Sequence, residues 1–172
     1  MALVTARGGN VIGGGDYAED RIVPDIMRAW AKGERPRLRM PNATRPWQHV
    51  LDCIAGYLIY AERARADVPR ALNFGPDAEH PVTVAELTRA MLEALGAKPE
   101  FDLDPNPGAL EMKSLAVDAT RAQATLGWRN RLSSAAAIGW TADWRRRVRL
   151  GETPRAVSLG QIAAYGALEA AP

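Results

Sequence analysis

The stretch Arg7-Gly-Gly-Asn-Val-Ile-Gly-Gly-Gly-Asp16 constrains the fold of this chain more than any other part of it. It follows a short apolar segment, Ala2 to Thr5, that is typical of a strand. After it, apolar residues recur at helical spacing from about Asp20 to Ala31. An open α/β sheet binds ligands at its carboxyl edge, where a strand is followed by a polar glycine-rich turn and then by a helix.

The glycines alone are a weak signal. Gly13, Gly15 and Ala18 fit the dinucleotide pattern G-x-G-x-x-A, but that pattern needs a helix that opens at the glycines and an acidic residue about 20 positions on. Here the predicted helix opens only after Arg21, and the region from Arg35 to Arg39 is basic. A flexible loop between a strand and a helix is the commoner interpretation of such a run.

The rest of the chain mixes short strands with helices, for a total of about six helices. Strands or extended segments are predicted at 37–40, 45–50, 71–74, 80–84, 100–103 and 115–117, and helices at 53–65, 84–95, 119–126, 134–150 and 158–169. Asp52 and Ser158 are predicted to open their helices, and Thr83 with Glu86 fits a capping box. The pattern predicts a mixed α/β fold. The first strand has no sheet built before it, and an unpaired edge invites another chain.

Composition excludes several classes of protein. The 172 residues suffice for one domain, and the apolar fraction of 47% is ordinary for a globular protein. A net charge of +2 and an arginine cluster without aromatic residues, Arg145 to Arg149, give no reason to expect a nucleic-acid partner. Cys53 is the single cysteine, and no apolar run approaches membrane-spanning length. The expected location is the cytoplasm.

Four motifs in order carry a resemblance to a known family. They are the glycine stretch, Arg21-Ile-Val-Pro-Asp25, Ala43-Thr-Arg-Pro-Trp-Gln-His-Val-Leu-Asp52 and Asn73-Phe-Gly-Pro76, and Leu126-Gly-Trp128 follows them in order. Together they resemble the CDP-glucose 4,6-dehydratases, which are nucleotide-sugar enzymes of the extended short-chain dehydrogenase/reductase superfamily. The resemblance covers only the family's C-terminal half. It implies that residues 1–172 are a nucleotide-sugar-binding portion, which begins at the last strands of a Rossmann domain that is otherwise absent.

The missing half matters for chemistry. In this family it carries the NAD-binding glycines and the catalytic Tyr-x-x-x-Lys. The residues four positions before Lys32, Lys98 and Lys113 are Arg28, Ala94 and Ala109, so no such motif is present. The resemblance therefore implies no catalytic residue and no cofactor site in this chain, with NAD bound by the full-length family.

The resemblance also implies substrate contacts, and each of them has a structural alternative. Asn10 matches an asparagine that binds the substrate near its sugar and diphosphate, or it only stabilises a turn. Arg45 matches the arginine that clamps the diphosphate, or it forms an internal salt bridge. Ile22 and Pro24 match the segment that closes over the nucleotide, or they only start a helix. Asn73 either approaches the nucleotide or ends a strand. His49 is predicted to be structural.

Two functions from different classes remain. In the first, the chain is the substrate-binding half of an NAD-dependent CDP-glucose 4,6-dehydratase, inactive alone, as a fragment or as a subunit whose partner chain supplies the Rossmann half. In the second, it is a non-catalytic module that binds a nucleotide sugar or only assembles with itself or another chain. Both lead us to expect a homo-oligomer or a partner chain, and the first names CDP-glucose as ligand.

Overall fold

Six helices and eight short strands make up the part of the chain that the computed structural model describes, residues 3–64, 68–76, 81–105 and 112–168. The helices are α1 (Ile22–Lys32), α2 (Val50–Glu62), α3 (Val84–Ala94), α4 (Thr120–Leu126), α5 (Ser134–Arg149) and α6 (Pro154–Ala167). The strands are β1 (Thr5–Gly8), β2 (Asn10–Ile12), β3 (Arg37–Leu38), β4 (Thr44–Arg45), β5 (Trp47–His49), β6 (Ala71–Phe74), β7 (Val82–Thr83) and β8 (Asp102–Leu103). The mixed α/β class is confirmed. No helix within these ranges has the length and hydropathy needed to cross a membrane.

The strands pair two by two. β1 lies parallel to β6 with Thr5 opposite Ala71, and β2 lies parallel to β5 with Asn10 opposite Trp47. β3 is parallel to β8, whereas β4 and β7 are antiparallel. The first strand therefore has a partner within the chain, which the sequence did not predict. It also starts later than expected, at Thr5, and residue 2 lies outside the described ranges.

Two separate hydrophobic clusters hold these elements together. The first joins α1, α3 and α5 to β2 and β5, and Ile26, Leu87 and Met91 at its centre are fully buried. The second packs α2 and α4 on the β1–β6 sheet around Phe74 and Tyr60. Burial of such side chains stabilises the fold by about 1.5–3 kcal/mol each.

Local sequence signals placed several helix ends correctly. Thr83 Oγ1 accepts a hydrogen bond from the Glu86 backbone N–H at 3.1 Å, and Glu86 Oε2 accepts one from the Thr83 N–H at 2.8 Å. This is the expected capping box. α1 and α4 end at Gly33 and Gly127, both in the left-handed conformation that glycine adopts without strain.

The expected role of Asp52 as a helix cap is wrong. α2 begins at Val50, and its N-cap is His49, whose Nδ1 accepts from the Leu51 N–H at 3.3 Å. Asp52 lies inside the helix and is fully buried. Its carboxylate is occupied by donors distant in sequence, which no local pattern could reveal.

Two further local predictions fail. The last helix opens after Thr153 rather than at Ser158, because Thr153 Oγ1 accepts from the Ala156 N–H and Pro154 occupies the first turn. Residues 115–117 form no strand. The predicted positions 65, 80 and 169 lie outside the described residues.

Candidate functional site

A cleft of about 680 Å³ opens where β1 passes into β2, beside the N-terminus of α1 and next to β3 and β4. Its volume lies within the range of small-molecule sites. The inner wall is apolar and belongs to the first hydrophobic cluster, with Ile12, Val23 and Trp47 each almost fully buried. The Trp47 ring is held by its Nε1, which donates to the Val82 carbonyl at 3.0 Å. The core of the protein therefore fixes the shape of the cleft.

The polar lining of the cleft is dominated by arginine. Four arginines and three aspartates line it: Arg21, Arg37, Arg39 and Arg45, with Asp16, Asp20 and Asp25. Two of the aspartates already face cations, since Asp16 lies 3.4 Å from Arg21 and Asp25 is ion-paired with Arg28. The lining therefore carries a net positive charge, which favours an anionic ligand.

The N-terminus of α1 adds to this positive potential. Its N-cap, Arg21, makes no side-chain capping hydrogen bond, so the first backbone N–H groups of the helix are left to other acceptors. Ile22 and Pro24 stand in this first turn and line the cleft. Proline has no N–H to lose there, and its fixed φ suits a helix start. Unfilled N–H groups and the helix dipole together favour anions.

Arg45 is anchored at the cleft by β4. Its Nη1 donates to the carbonyls of Thr44 and Met112, both at 2.9 Å. These two contacts fix the plane of the guanidinium, and the side chain is half-buried. A guanidinium held in one plane is well suited to bidentate contact with phosphate oxygens.

Asn10 lines the same cleft because the backbone just before it, at Gly9, packs closely against Pro46. A Cβ on Gly9 would lie 2.6 Å from Pro46 Cγ, so only glycine fits between the two segments. Asn10 pairs with Trp47 in the β2–β5 ladder, two residues from Arg45. Within the described ranges no hydrogen bond of its side chain is formed, which leaves the amide for a ligand.

Asn73 lies elsewhere. It stands on β6, and its Nδ2 donates to the Asp118 carbonyl at 3.2 Å, outside the lining of the cleft. Of the five residues proposed from the sequence, the structure thus brings together Asn10, Ile22, Pro24 and Arg45. The position of Asn73 supports its structural alternative.

The glycines that mimic a dinucleotide fingerprint do not line this cleft. Gly13 and Gly15 follow β2. A Cβ on Gly13 would lie 2.6 Å from Val50 Cγ1 of α2, and a Cβ on Gly15 would lie 3.7 Å from the Trp144 ring of α5. These glycines therefore do not form a pyrophosphate-binding turn at the cleft, and we assign no cofactor chemistry to them. No three His, Cys, Asp or Glu side chains gather into a metal-binding group in the part of the chain that the structure describes.

His49 is structural, as its isolation in the sequence predicts. It is 1% exposed, its Nδ1 caps α2, and its ring meets Trp140 edge-on with centroids 5.7 Å apart. Burial lowers the pKa of His49 to about 4. The imidazole is therefore neutral at pH 7 and lies away from the cleft.

Of the four arginines that line the cleft, sequence reasoning proposed only Arg45 as a ligand contact and missed Arg21, Arg37 and Arg39. The basic region around Arg37 served only as an argument against a dinucleotide fingerprint. The available signal was the spacing of Arg37 and Arg39, which alternate with the buried Leu38 and so project to the same face of their segment. What could not be foreseen is that this face meets the start of α1.

Comparison with known proteins agrees with the resemblance carried by the motifs. Over 168 residues the chain is 34% identical to the CDP-glucose 4,6-dehydratase of Salmonella typhimurium. The aligned region covers 96% of this chain and 47% of that protein. The chain thus spans about half the length of the curated relative that it matches, which confirms the resemblance to a C-terminal half. No protein-family model matches the chain.

Solved structures show the same fold. A UDP-glucuronic acid 4-epimerase from Bacillus cereus, in complex with UDP-glucuronic acid and NAD, superposes with a TM-score of 0.74 at 15% identity over 86% of this chain and 46% of the epimerase. A dTDP-glucose 4,6-dehydratase from Bacillus anthracis, in complex with NAD, gives a TM-score of 0.69 at 18% identity over 84% of this chain and 44% of that one. This chain therefore has the fold of about half of such an epimerase or dehydratase.

Proposed function

We propose that this chain is the substrate-binding half of an NAD-dependent enzyme of the CDP-glucose 4,6-dehydratase type. It binds a nucleotide sugar, with CDP-glucose as the expected ligand, in the arginine-rich cleft. The observation that carries the proposal is the convergence of Arg45, Asn10 and the open N-terminus of α1 on one cleft. The 34% identity to a CDP-glucose 4,6-dehydratase supports this choice of ligand.

The diphosphate of the ligand takes the positive part of the cleft. The Arg45 guanidinium, fixed by two carbonyls, grips its phosphate oxygens, and the backbone N–H groups at the start of α1 donate from the other side. The Asn10 amide can donate to a phosphate oxygen and accept from a sugar hydroxyl. Ile22 and Pro24 line the cleft beside this contact.

The chain alone binds but does not catalyse in this proposal. These 172 residues contain no Tyr-x-x-x-Lys sequence, so that motif and the NAD site would have to come from outside them. Purified protein given CDP-glucose and NAD should therefore yield no 4-keto-6-deoxy sugar. Appearance of that product, detected by its absorbance in alkali, would contradict the assignment.

Binding is tested by calorimetry with CDP-glucose on the wild type and on Arg45→Ala and Arg45→Lys. A charged hydrogen bond contributes about 1.5–3 kcal/mol, so Arg45→Ala should weaken binding roughly 10- to 100-fold. Lysine keeps the charge and loses the fork, so it should restore only part of the affinity. Arg155→Ala, an exposed arginine of α6 outside the cleft, is the matched control and should change nothing.

The melting temperature without ligand separates binding from a structural role. If Arg45 serves only to fasten β4 to the Met112 carbonyl, Arg45→Ala lowers the melting temperature and leaves the affinity unchanged. UDP-glucose and dTDP-glucose in parallel titrations test the base preference. The second candidate is a non-catalytic module that binds a nucleotide sugar or only assembles. Its assembly-only form requires that no nucleotide sugar binds to the wild type while light scattering shows a stable oligomer.

A further inference from the structure

Segment 16–21 forms one wall of the cleft and leads directly into α1. Asp16, Asp20 and Arg21 line the cleft, and Arg21 is the N-cap of the helix. Asp20 has a φ of 57°, in the left-handed region that few residues other than glycine adopt. Such a backbone persists only where the surrounding structure holds it. The position of this wall therefore depends on contacts from other parts of the chain.

Arg28 of α1 supplies one set of these contacts. Its Nη1 donates to the Tyr17 carbonyl and its Nη2 to the Ala18 carbonyl, both at 3.2 Å. Nη2 also pairs with the carboxylate of Asp25, about one helical turn earlier. Asp25 lines the cleft, whereas Arg28 does not. Arg28 thus fastens the middle of segment 16–21 to the first turn of α1 and offsets a negative charge in the cleft lining.

Arg145 of α5 holds the same segment from a second helix. Its guanidinium carbon lies 4.2 Å from the centre of the Tyr17 ring, which is the geometry of a cation–π contact. The next residue, Arg146, pairs with Asp143 instead. The basic cluster of α5 is therefore divided among separate partners, and Arg145 is the member that supports the wall of the cleft.

Arg149, one turn later on α5, makes a similar contact at the other end of α1. Its guanidinium carbon lies 4.8 Å from the centre of the Trp30 ring, and its Nη1 donates to the Ala31 carbonyl at 3.3 Å. Neither Trp30 nor Ala31 lines the cleft. Arg149 therefore holds α1 without a contact to segment 16–21, and it provides a natural control for Arg145.

We propose that Arg28 and Arg145 are positioning residues for nucleotide-sugar binding, which hold segment 16–21 and the open N-terminus of α1 in the arrangement that receives the diphosphate. These roles rest on the proposed function and belong to two residues outside the cleft lining. A wall that is already fixed spares the ligand the entropic cost of ordering it. Arg28 has a second effect, because an uncompensated Asp25 carboxylate would repel the anion that the helix N-terminus attracts.

Calorimetric titration with CDP-glucose tests the role of Arg28. Arg28→Gln should weaken binding roughly 10-fold, because it removes both the fork on the two carbonyls and the charge opposite Asp25. Asp25→Asn added to this variant should recover at least about 3-fold of the affinity, since the unpaired carboxylate is then gone. A merely structural role predicts no recovery, because the second change restores no contact to segment 16–21.

Tyr17 and Arg149 provide the matched comparisons for Arg145. Arg145→Gln and Tyr17→Leu should each weaken binding about 3-fold, whereas Tyr17→Phe retains the aromatic ring and should keep the affinity. Arg149→Gln removes the same kind of contact at the far end of α1, so it should lower the melting temperature without changing the affinity. Without ligand, trypsin should cut after Arg21 faster in the Arg28 and Arg145 variants than in the wild type.

The proposed roles are overturned if the Arg28 and Arg145 variants bind CDP-glucose as tightly as the wild type, or if Asp25→Asn brings no recovery. An equal loss of affinity in Arg149→Gln also overturns them, since the effect would then be one of general stability. If Arg45→Ala weakens binding and the Arg28 and Arg145 variants do not, only the positioning roles fail. If the wild type binds none of CDP-glucose, UDP-glucose and dTDP-glucose, the proposed function fails and the positioning roles fail with it.

Discussion

Removal of the buried carboxylate of Asp52 should destabilise the protein far more than removal of a helix cap. Asp52 Oδ1 accepts from the Arg131 N–H at 2.7 Å and from Tyr165 Oη at 2.8 Å, and Oδ2 accepts from the Leu132 N–H at 3.3 Å. Burial raises the pKa of this carboxyl, and the three donors act against that shift. The side chain thus ties α2 to α6 and to the segment before α5.

The size of the effect follows from these contacts. Asp52→Ala leaves three largely buried donors without their acceptor, at about 1–3 kcal/mol each before water or relaxation restores part of the loss. We expect a net cost of about 3–5 kcal/mol, which lowers the melting temperature by roughly 6–20 °C for a chain of this length. Tyr165→Phe removes one donor only and should cost about 1.5–3 kcal/mol.

Urea denaturation of Asp52→Ala, Tyr165→Phe and the double variant measures both effects and their coupling. The double variant should be more stable than the sum of the single costs predicts, by about 1 kcal/mol or more, because the two groups share a contact. A helix cap contributes only about 1 kcal/mol and has no link to α6. A cost near that value for Asp52→Ala, with additive effects of the two changes, would refute the network.

Three further outcomes are expected. Burial lowers the pKa of His49 from 6.5 to about 4, so as the pH falls the unfolded chain binds a proton before the folded chain does. The free energy of unfolding should therefore fall by about 3 kcal/mol between pH 6.5 and pH 4. Urea midpoints of His49→Gln measured at several pH values should lack this pH-dependent loss. Gly14→Ala should cost about 1–3 kcal/mol, because its Cβ meets Trp144, and should weaken CDP-glucose binding by shifting the loop that carries Asp16. Gly139→Ala in α5 should instead raise the melting temperature, because alanine favours a helix over glycine and nothing lies within 4 Å of the new Cβ. A lower melting temperature would contradict the open space at this position of α5.

Sequence reasoning succeeded where the cause of a structure lies within a few residues. The capping box of Thr83 and Glu86 and the helix end at Gly33 depend on local backbone geometry, so composition and spacing sufficed. Asp52 shows the limit. Its partners stand 79, 80 and 113 positions away, and a carboxylate that looks like a cap is used as a tertiary tie.

The candidate site was predicted in part for the same reason. Asn10 and Arg45 were proposed because they stand in recognisable motifs, and the cleft brings both of them together with the start of α1. Arg37 and Arg39 stand in no such motif. Their place in the cleft depends on how β3 packs beside α1, and that geometry is set by the whole core.

Both hydrophobic clusters help to position the cleft. The wall of the cleft belongs to the first cluster, through Ile12, Val23 and Trp47, so its shape depends on contacts made within the chain. Ala6 of β1 packs against the second cluster. β1 ends at Gly8, which lines the cleft, so the second cluster also contributes to the position of the cleft lining.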